Sequence, residues 1–222
     1  MSTVVKPAAE RILLHEISWK AYEALLESWA ERPVRTTYDH GTLEIMSPLL
    51  IHERIQIITE QLIDAYTEEL NIPRMSGGGT TFKQEAHKRG LDPDACYWIQ
   101  HERVMRGKDD FDPDTDPPPD LAIEVDITHS SLDRMSIYAT LGVPEVWRFD
   151  EHGLTINLLQ GGGYVVSERS VALPGLPPAE VIRFLEMRAE LDEVSLIRSF
   201  REWVRQQGRK KPARKARRPR KK

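Results

Sequence analysis

The segment Leu121–Val125 places a single carboxylate inside an apolar run, Leu-Ala-Ile-Glu-Val. A short apolar run after a Pro-rich stretch is typical of a buried strand. Successive side chains of a strand point to opposite faces, so Leu121, Ile123 and Val125 are predicted to face the core. The other face is then an acidic stripe, made of Asp120, Ala122, Glu124 and Asp126. Burying a carboxylate is costly unless it is paired, so the fold must bring a partner to Glu124.

The pattern around this strand predicts an α/β domain. Apolar residues at three- and four-residue steps predict a helix that Ser18 caps and a second helix from about Ile51 to Leu70. Gly142 is predicted to end a short helix over residues 131–141. The predicted strands are Val34–Tyr38, Thr42–Met46, Thr80–Lys83, Ala95–Ile99, Leu121–Val125, Glu145–Asp150 and Leu154–Leu159. This mixture favours one mixed central β-sheet flanked by helices.

Apolar residues at helical spacing also predict a long C-terminal helix. It begins near Ala179 and could reach Gln207 without a break. Its outer residues Ile197, Phe200 and Trp203 would form an exposed apolar patch suited to a homodimer. The chain is accordingly divided into a domain over residues 1–185, a C-terminal helix over 186–208 and a basic tail over 209–222.

Charge is divided unevenly along the chain. The basic tail contains ten of the 31 Lys and Arg residues and none of the 35 acidic residues, which leaves about −14 for the rest of the chain. A block of like charges cannot bury itself, so the tail is predicted to be disordered. It is either an arm that binds phosphates and is weakened by salt, or a solubilising tail.

Composition argues against several classes of protein. No apolar run approaches the ~18 residues of a membrane span, and the N-terminal sequence lacks the apolar stretch of a signal peptide. Cys96 is the only cysteine, so no internal disulfide or cysteine-based zinc site is expected. We expect a cytoplasmic protein with no membrane partner, in which Cys96 is a buried small residue rather than a nucleophile.

Asp94 is a candidate partner for Glu124 at a metal site. Pro93-Asp94 leads into the predicted strand Ala95–Ile99, and if that strand lies beside Leu121–Val125, the two carboxylates converge. Mg²⁺ takes oxygen ligands, retains several waters and needs only one or two protein carboxylates plus a substrate phosphate. Two plainer interpretations stay open: Asp94 helps to shape a turn, and Glu124 pairs with an arginine.

Other catalytic patterns are missing from the sequence. It contains no HExxH or G-x-S-x-G motif, and the glycine run Gly77–Gly79 is not followed by the Lys-Ser or Lys-Thr of a P-loop. His52 stands at the start of the second predicted helix. It either orients the site and contacts a phosphate, or has a purely structural role.

Several short motifs resemble one known family through their order and spacing. They are GTLEIMSP at 41–48 followed by His52, Pro93-Asp94, PDLAIEV at 119–125 and YATLGVPEVW at 138–147. Together they resemble the Uma-type putative restriction endonuclease family of bacteria, within the PD-(D/E)XK nuclease superfamily. The resemblance covers roughly residues 15–185. It implies a restriction-endonuclease-like fold and metal-dependent hydrolysis of phosphodiester bonds, with DNA as substrate and Mg²⁺ or Mn²⁺ as cofactor.

The resemblance also implies roles for individual residues. Asp94 matches the aspartate of the motif and Glu124 its acidic partner, both as metal ligands, while His52 matches a recurring histidine. This sequence departs from the family pattern at the lysine of the motif. In the family that lysine stands on the following helix, four residues before the tyrosine that is Tyr138 here, and this position holds Arg134. Arginine retains the positive charge but cannot accept a proton, since its pKa stays above ~12.

Three interpretations follow. The first is an endonuclease in which Asp94 and Glu124 hold the metal, Arg134 stabilises the charged phosphate and His52 assists. The second is a catalytically idle relative that binds nucleic acid or a protein, which Arg134 and the basic tail would explain. The third is an interaction protein that dimerises through its C-terminal helix, and this is compatible with either of the others.

Overall fold

The structure is a computed structural model that describes residues 10–29, 34–127 and 130–210, with side chains as far as residue 207. Its α-helices are α1 (Trp19–Ser28), α2 (Leu50–Leu70), α3 (Glu102–Met105), α4 (Arg134–Thr140), α5 (Pro178–Glu186) and α6 (Glu193–Lys210). Its strands are β1 (Glu10–Leu14), β2 (Arg35–Asp39), β3 (Thr42–Ser47), β4 (Met75–Ser76), β5 (Phe82–Gln84), β6 (Arg89–Leu91), β7 (Ala95–Trp98), β8 (Leu121–Val125), β9 (Glu145–Asp150), β10 (Gly153–Gln160) and β11 (Gly163–Ser167).

These strands form two sheets. One has five strands in the order β1-β3-β2-β6-β5, and the other has six in the order β11-β10-β9-β8-β7-β4. The six-stranded sheet is mixed, as predicted, because β8 pairs parallel to β9 but antiparallel to β7. The sequence pattern does not reveal β1 or β6, or the division into two sheets, since a strand of three residues such as β6 carries too little periodicity.

The main hydrophobic core lies between the six-stranded sheet and helices α2, α5 and α6. Leu121, Ile123 and Val125 of β8 point into this core, as the alternation predicts. The opposite face of β8 is covered as well, because Ala122 packs against Ile137 and Tyr138 of α4. The expected acidic stripe is therefore not an open surface. β8 is a central strand because it pairs with β7 on one side and, in parallel, with β9 on the other. Central strands of this kind are buried on both faces.

A second cluster fixes the N-terminal half. Ser18 caps α1 as predicted, since its hydroxyl accepts from the backbone N–H of Ala21 at 3.2 Å. The hairpin of β2 and β3 turns at His40 and Gly41, whose φ angles of 46° and 93° suit a type I′ turn. Tyr22 of α1 stacks on Tyr38 of β2 with ring centroids 4.6 Å apart. These contacts hold the five-stranded sheet under α1.

A long C-terminal helix is present as α6, but the prediction that it runs without a break from Ala179 is wrong, because the chain is interrupted between α5 and α6. A 3₁₀ turn follows α5, and the carboxylate of Asp192 then accepts from the N–H and hydroxyl of Ser195, at 3.0 and 2.7 Å. The break lets the rings of Phe184 and Phe200 meet edge to face, with centroids 4.9 Å apart.

The predicted apolar patch is also not exposed. Phe200 is fully buried, Trp203 stacks on it, and Ile197 is partly buried against the same core. They face inward because α6 packs along α2. Homodimerisation and the division of the chain at residues 185 and 208 stay predictions. Residues 209 and 210 end α6, whereas residues 211–222 lie outside the described part.

Candidate active site

Antiparallel pairing of β7 and β8 brings Asp94 and Glu124 together. Asp94 immediately precedes β7, whose first residue Ala95 lies opposite Ile123 of β8. The backbone N–H of Asp94 donates to the carbonyl of Ile123 at 3.1 Å, and the N–H of Val125 donates to Asp94 Oδ2 at 2.7 Å. Both carboxylates are buried, at 5% and 6% exposure, and they line the same cleft. The predicted convergence is therefore present.

Arg134 of α4 holds Glu124 with both sides of its guanidinium. Its Nε lies 2.6 Å from Glu124 Oε1, and its Nη2 donates to Oε2 at 2.7 Å. Nη2 also donates to the carbonyl of Asp92 at 2.7 Å, and Nη1 donates to the hydroxyl of Thr37. The phenol of Tyr138 donates to Glu124 Oε2 at 2.8 Å. The pairing of Glu124 with an arginine, left open by the sequence, is thus what the structure contains.

Asp92 has a structural role beside these residues. Its Oδ2 accepts from the backbone N–H and the hydroxyl of Thr36, at 2.7 and 2.8 Å. The side chain thereby joins the Asp92–Asp94 turn to β2 in the other sheet. Of the two aspartates, Asp94 alone lines the cleft.

Arg35, the first residue of β2, approaches Asp94 from the opposite wall. Its Nε lies 3.5 Å from Asp94 Oδ1, and its Nη2 lies 3.4 Å from the side-chain oxygen of Gln56. Sequence reasoning did not single out Arg35. Its relation to Asp94 depends on how two distant strands pack, and no local motif signals that packing.

A second layer of ion pairs continues the cleft. Glu44 of β3 accepts from Arg11 Nη1 at 2.7 Å and from the backbone N–H of Ser131 at 2.7 Å. Asp126 accepts from Arg148 Nη2 at 2.8 Å, and Glu44 and Asp126 are joined through Ser130. Glu44, Asp126 and Arg11 line the cleft together with the residues above. Glu44 lies within the motif GTLEIMSP, but the sequence does not reveal its partners, which lie on distant segments.

His52 is buried at the start of α2, as its position in the sequence predicts. Its Nδ1 accepts from the backbone N–H of Leu49 at 3.1 Å, so the ring closes the first turn of the helix. Burial lowers the pKa of His52, and the nearby charge of Arg11 lowers it further. The ring does not line the cleft. This geometry gives His52 a positioning role.

Burial also governs the charges in the cleft. It raises the pKa of Asp94 and of Glu124, and each effect is only partly offset by Arg134. The charge of Asp94 adds to the shift at Glu124. Burial works against the charge of Arg134, but the combined effect of Glu124, Tyr138 and Asp94 outweighs it and the pKa of Arg134 is raised. Burial therefore disfavours the charged form of both carboxylates.

The donor set fits a hard divalent cation. An ionised carboxylate offers about four lone-pair sites, and Glu124 accepts hydrogen bonds from Arg134 Nη2 and Tyr138, with Arg134 Nε as a further ion-pair contact. Among the residues that the structure describes, the contact of Asp94 Oδ1 is the distant one with Arg35. Within the described residues no three His, Cys, Asp or Glu side chains form a metal cage. A metal site here would thus consist of two carboxylates completed by water and substrate, which suits Mg²⁺ or Mn²⁺.

A model of the Uma2 family, described as putative restriction endonuclease, matches residues 19–190. The chain belongs to the Uma2 family. The matched region contains His52, Asp94, Glu124 and Arg134 and ends just before α6. The family confirms the resemblance seen in the sequence and the restriction-endonuclease-like α/β fold, and it makes this Uma2 chain a nuclease-like protein.

This Uma2 chain is also similar to solved structures. One of them is a putative nuclease belonging to DUF820 from Anabaena variabilis ATCC 29413, with 14% identity and a TM-score of 0.43 over 75% of this chain and 90% of that chain. No curated protein matches the chain.

The remaining expectations concern the single cysteine and membrane-spanning helices. Cys96 is fully buried in β7, and burial raises the pKa of its thiol to about 12, which disfavours a nucleophilic thiolate. No helix in the described part of the chain has the length and apolar character needed to cross a bilayer.

Proposed function

We propose that this Uma2 protein is an endonuclease that hydrolyses phosphodiester bonds in DNA and depends on Mg²⁺ or Mn²⁺. The observation that carries the proposal is the convergence of Asp94 and Glu124 in one buried cleft that three arginines also line. Two carboxylates suit the cation, and arginines suit a phosphate. Membership of a family described as restriction endonucleases supports the same chemistry.

The two carboxylates are proposed to be the metal ligands. A cation held by Asp94 and Glu124 would activate the attacking water and neutralise charge on the phosphate and the leaving oxygen. Asp94 is oriented by the N–H of Val125, and Glu124 by the phenol of Tyr138. These donors fix the oxygens before the substrate arrives, so little reorganisation is needed during the reaction.

Arg134 is proposed to supply fixed positive charge in the position of the lysine. Its contacts with Glu124, Thr37 and the carbonyl of Asp92 hold the guanidinium rigidly beside the carboxylates. A charge placed there stabilises negative charge that develops on the phosphate. It cannot remove a proton from water, so Arg134 contributes electrostatics only. His52 assists by fixing the start of α2.

Cleavage of supercoiled plasmid tests this function. The wild-type protein is incubated with Mg²⁺, Mn²⁺ or EDTA, beside the variants Asp94→Asn and Glu124→Gln. We expect nicking that requires the metal and falls at least a hundredfold in both variants, because each loses a charged ligand.

Asp120→Asn is the matched control. Asp120 is an equally buried carboxylate at the other end of β8, where it accepts from the N–H groups of Ile99 and His101, at 2.6 and 3.0 Å. It should lose stability but retain cleavage per folded molecule, as judged by circular dichroism. Metal-independent cleavage, or full activity in Asp94→Asn, would refute the assignment.

The contacts of Arg134 with Glu124 favour a second candidate function, that of a catalytically idle relative that binds nucleic acid. Both oxygens of Glu124 already contact the guanidinium, which competes with a cation for that carboxylate. Arg134→Lys separates the two proposals, since lysine cannot form the two-pronged contact. If the wild type does not cleave DNA but Arg134→Lys does, the protein is a damaged enzyme. If neither protein cleaves DNA, a binding protein is favoured.

A further inference from the structure

The arginines beside the carboxylate pair differ in how fully they are engaged. The guanidinium of Arg134 contacts Glu124, Thr37 and the carbonyl of Asp92 at hydrogen-bond distances. That of Arg35 approaches Asp94 no closer than 3.5 Å and Gln56 no closer than 3.4 Å, the limit of a hydrogen bond. Its Nε is buried and has no hydrogen-bond partner among the residues that the structure describes, which is also true of the Nε of Arg134, so the difference lies in the Nη groups.

Arg35 is a group with unused donors that faces the cleft. An arginine carries five N–H donors in a planar fork, and a buried donor without a partner is destabilising. The unpartnered N–H donors of Arg35 are therefore unfavourable in the free protein. An anion that accepts hydrogen bonds from them would remove this cost. The side chain is 20% exposed, so an anion entering the cleft can reach it.

The neighbouring glycine leaves one side of the guanidinium uncovered. A Cβ at Gly79 would lie 3.6 Å from Arg35 Cζ and 3.7 Å from Nη1, and also 3.2 Å from the carbonyl of Pro93. A larger residue there would pack on the guanidinium and press on the turn before Asp94. The cleft floor has free space of only about 10 Å³, so a phosphate can bind only if a lining side chain moves. Arg35, whose contacts are longer than those of Arg134, moves at less cost than Arg134.

We propose that Arg35 binds a backbone phosphate of the DNA substrate by direct contact, while Arg134, which is held by Glu124, supplies its charge without touching that phosphate. This inference rests on the proposed nuclease function and adds a substrate-binding residue to it. Arg35 sits against Asp94, so the phosphate it binds would lie next to the metal-binding carboxylates. When the Arg35 guanidinium turns to the phosphate, it also moves away from Asp94, and the Asp94 carboxylate becomes available to the cation.

Two measurements with opposite expected directions test Arg35. DNA affinity is measured by fluorescence anisotropy of a labelled duplex at several salt concentrations, with Ca²⁺ in place of Mg²⁺ to hold back cleavage. Arg35→Gln should bind roughly tenfold more weakly, with a salt slope reduced by about one phosphate contact, and Arg35→Lys should recover part of both. Mn²⁺ affinity, measured by calorimetry without DNA, should be equal or higher in Arg35→Gln, because a cation next to Asp94 has been removed.

Arg74→Gln is the matched control. Its side chain is also 20% exposed, but it pairs with Asp64 of α2, outside the cleft. We expect it to leave DNA affinity and its salt slope unchanged. A loss of both DNA and Mn²⁺ affinity in Arg35→Gln would mean a structural role, and unchanged DNA affinity would also overturn the proposal.

The same experiments separate the two proposals. A wild type that cleaves, with Arg35→Gln equal to it in affinity and KM, would leave the nuclease standing and refute Arg35. A wild type that binds DNA but never cleaves would refute the nuclease, and the salt slope would still decide the role of Arg35. A wild type that does not bind DNA at all would refute both.

Discussion

Two aspartates stand two residues apart at the centre of the cleft and have different roles. Asp92 Oδ2 accepts two hydrogen bonds from Thr36 and ties the turn to β2. Asp94 accepts the N–H of Val125 through Oδ2 and presents Oδ1 toward the cleft and Arg35. Asp92 is therefore assigned to stability and Asp94 to the proposed chemistry.

Alanine at each position should separate these roles. Asp92→Ala leaves the buried N–H of Thr36 without its acceptor, so we expect the free energy of unfolding to fall by about 1–3 kcal/mol. Its Mn²⁺ affinity should stay within about twofold of the wild type, whereas Asp94→Ala should bind Mn²⁺ at least tenfold more weakly. Urea unfolding and calorimetry give the two quantities. Loss of Mn²⁺ binding in a stable Asp92→Ala protein would reverse the assignment.

Residues that a local motif marks could be predicted from the sequence, and residues that act through distant packing could not. Alternation in Leu121–Val125 and the turn before Ala95 led to Glu124 and Asp94, because both follow from strand geometry. Arg35 and Glu44 lie on β2 and β3, in a different sheet. Their place in the cleft depends on how two sheets pack, which no periodicity encodes.

At the scale of elements, the break between α5 and α6 decides how the C-terminal part packs. Apolar spacing predicts helix on both sides of residues 187–192 but does not locate the reversal. The cap by Asp192 is visible in the sequence only as one acidic residue three before Ser195. After the break α6 runs along α2, where Arg201 and Arg205 pair with Glu69, at 3.3 and 2.7 Å. Arg205 is exposed and Arg201 partly exposed, so apolar burial rather than charge should hold the helix.

Truncation of Phe200 tests whether α6 belongs to the main core. Phe200→Ala removes a fully buried ring that contacts Phe184 and Trp203, so we expect a loss of about 3–5 kcal/mol in the free energy of unfolding. Val194→Ala, on an exposed position of the same helix, should cost less than about 0.5 kcal/mol. Chemical denaturation followed by circular dichroism measures both. Equal, small losses would mean that α6 contributes little to the fold.

For the whole molecule, charge raises the question of how an acidic chain would hold DNA. The arginines of the cleft are paired with carboxylates, so the cleft has little net positive charge before a metal enters. Most of the long-range attraction must then come from elsewhere in the chain. The basic tail is the densest cluster of Lys and Arg in the sequence. In the proposed nuclease we therefore expect the tail to supply most of the DNA affinity and the cleft to carry out cleavage.

Removal of residues 211–222 should weaken DNA binding without changing the chemistry. The deleted segment contains eight Lys or Arg residues, so affinity at ~100 mM salt should fall by roughly a hundredfold and the salt slope should become shallower. The rate at saturating DNA should stay within about twofold, because the deletion removes no cleft residue. A tail of the same composition in scrambled order is the control, and it should bind as the wild type does, since non-specific phosphate binding depends on charge and not on order. Unchanged affinity and slope after deletion would make the tail solubilising and place the DNA contacts on residues 1–210.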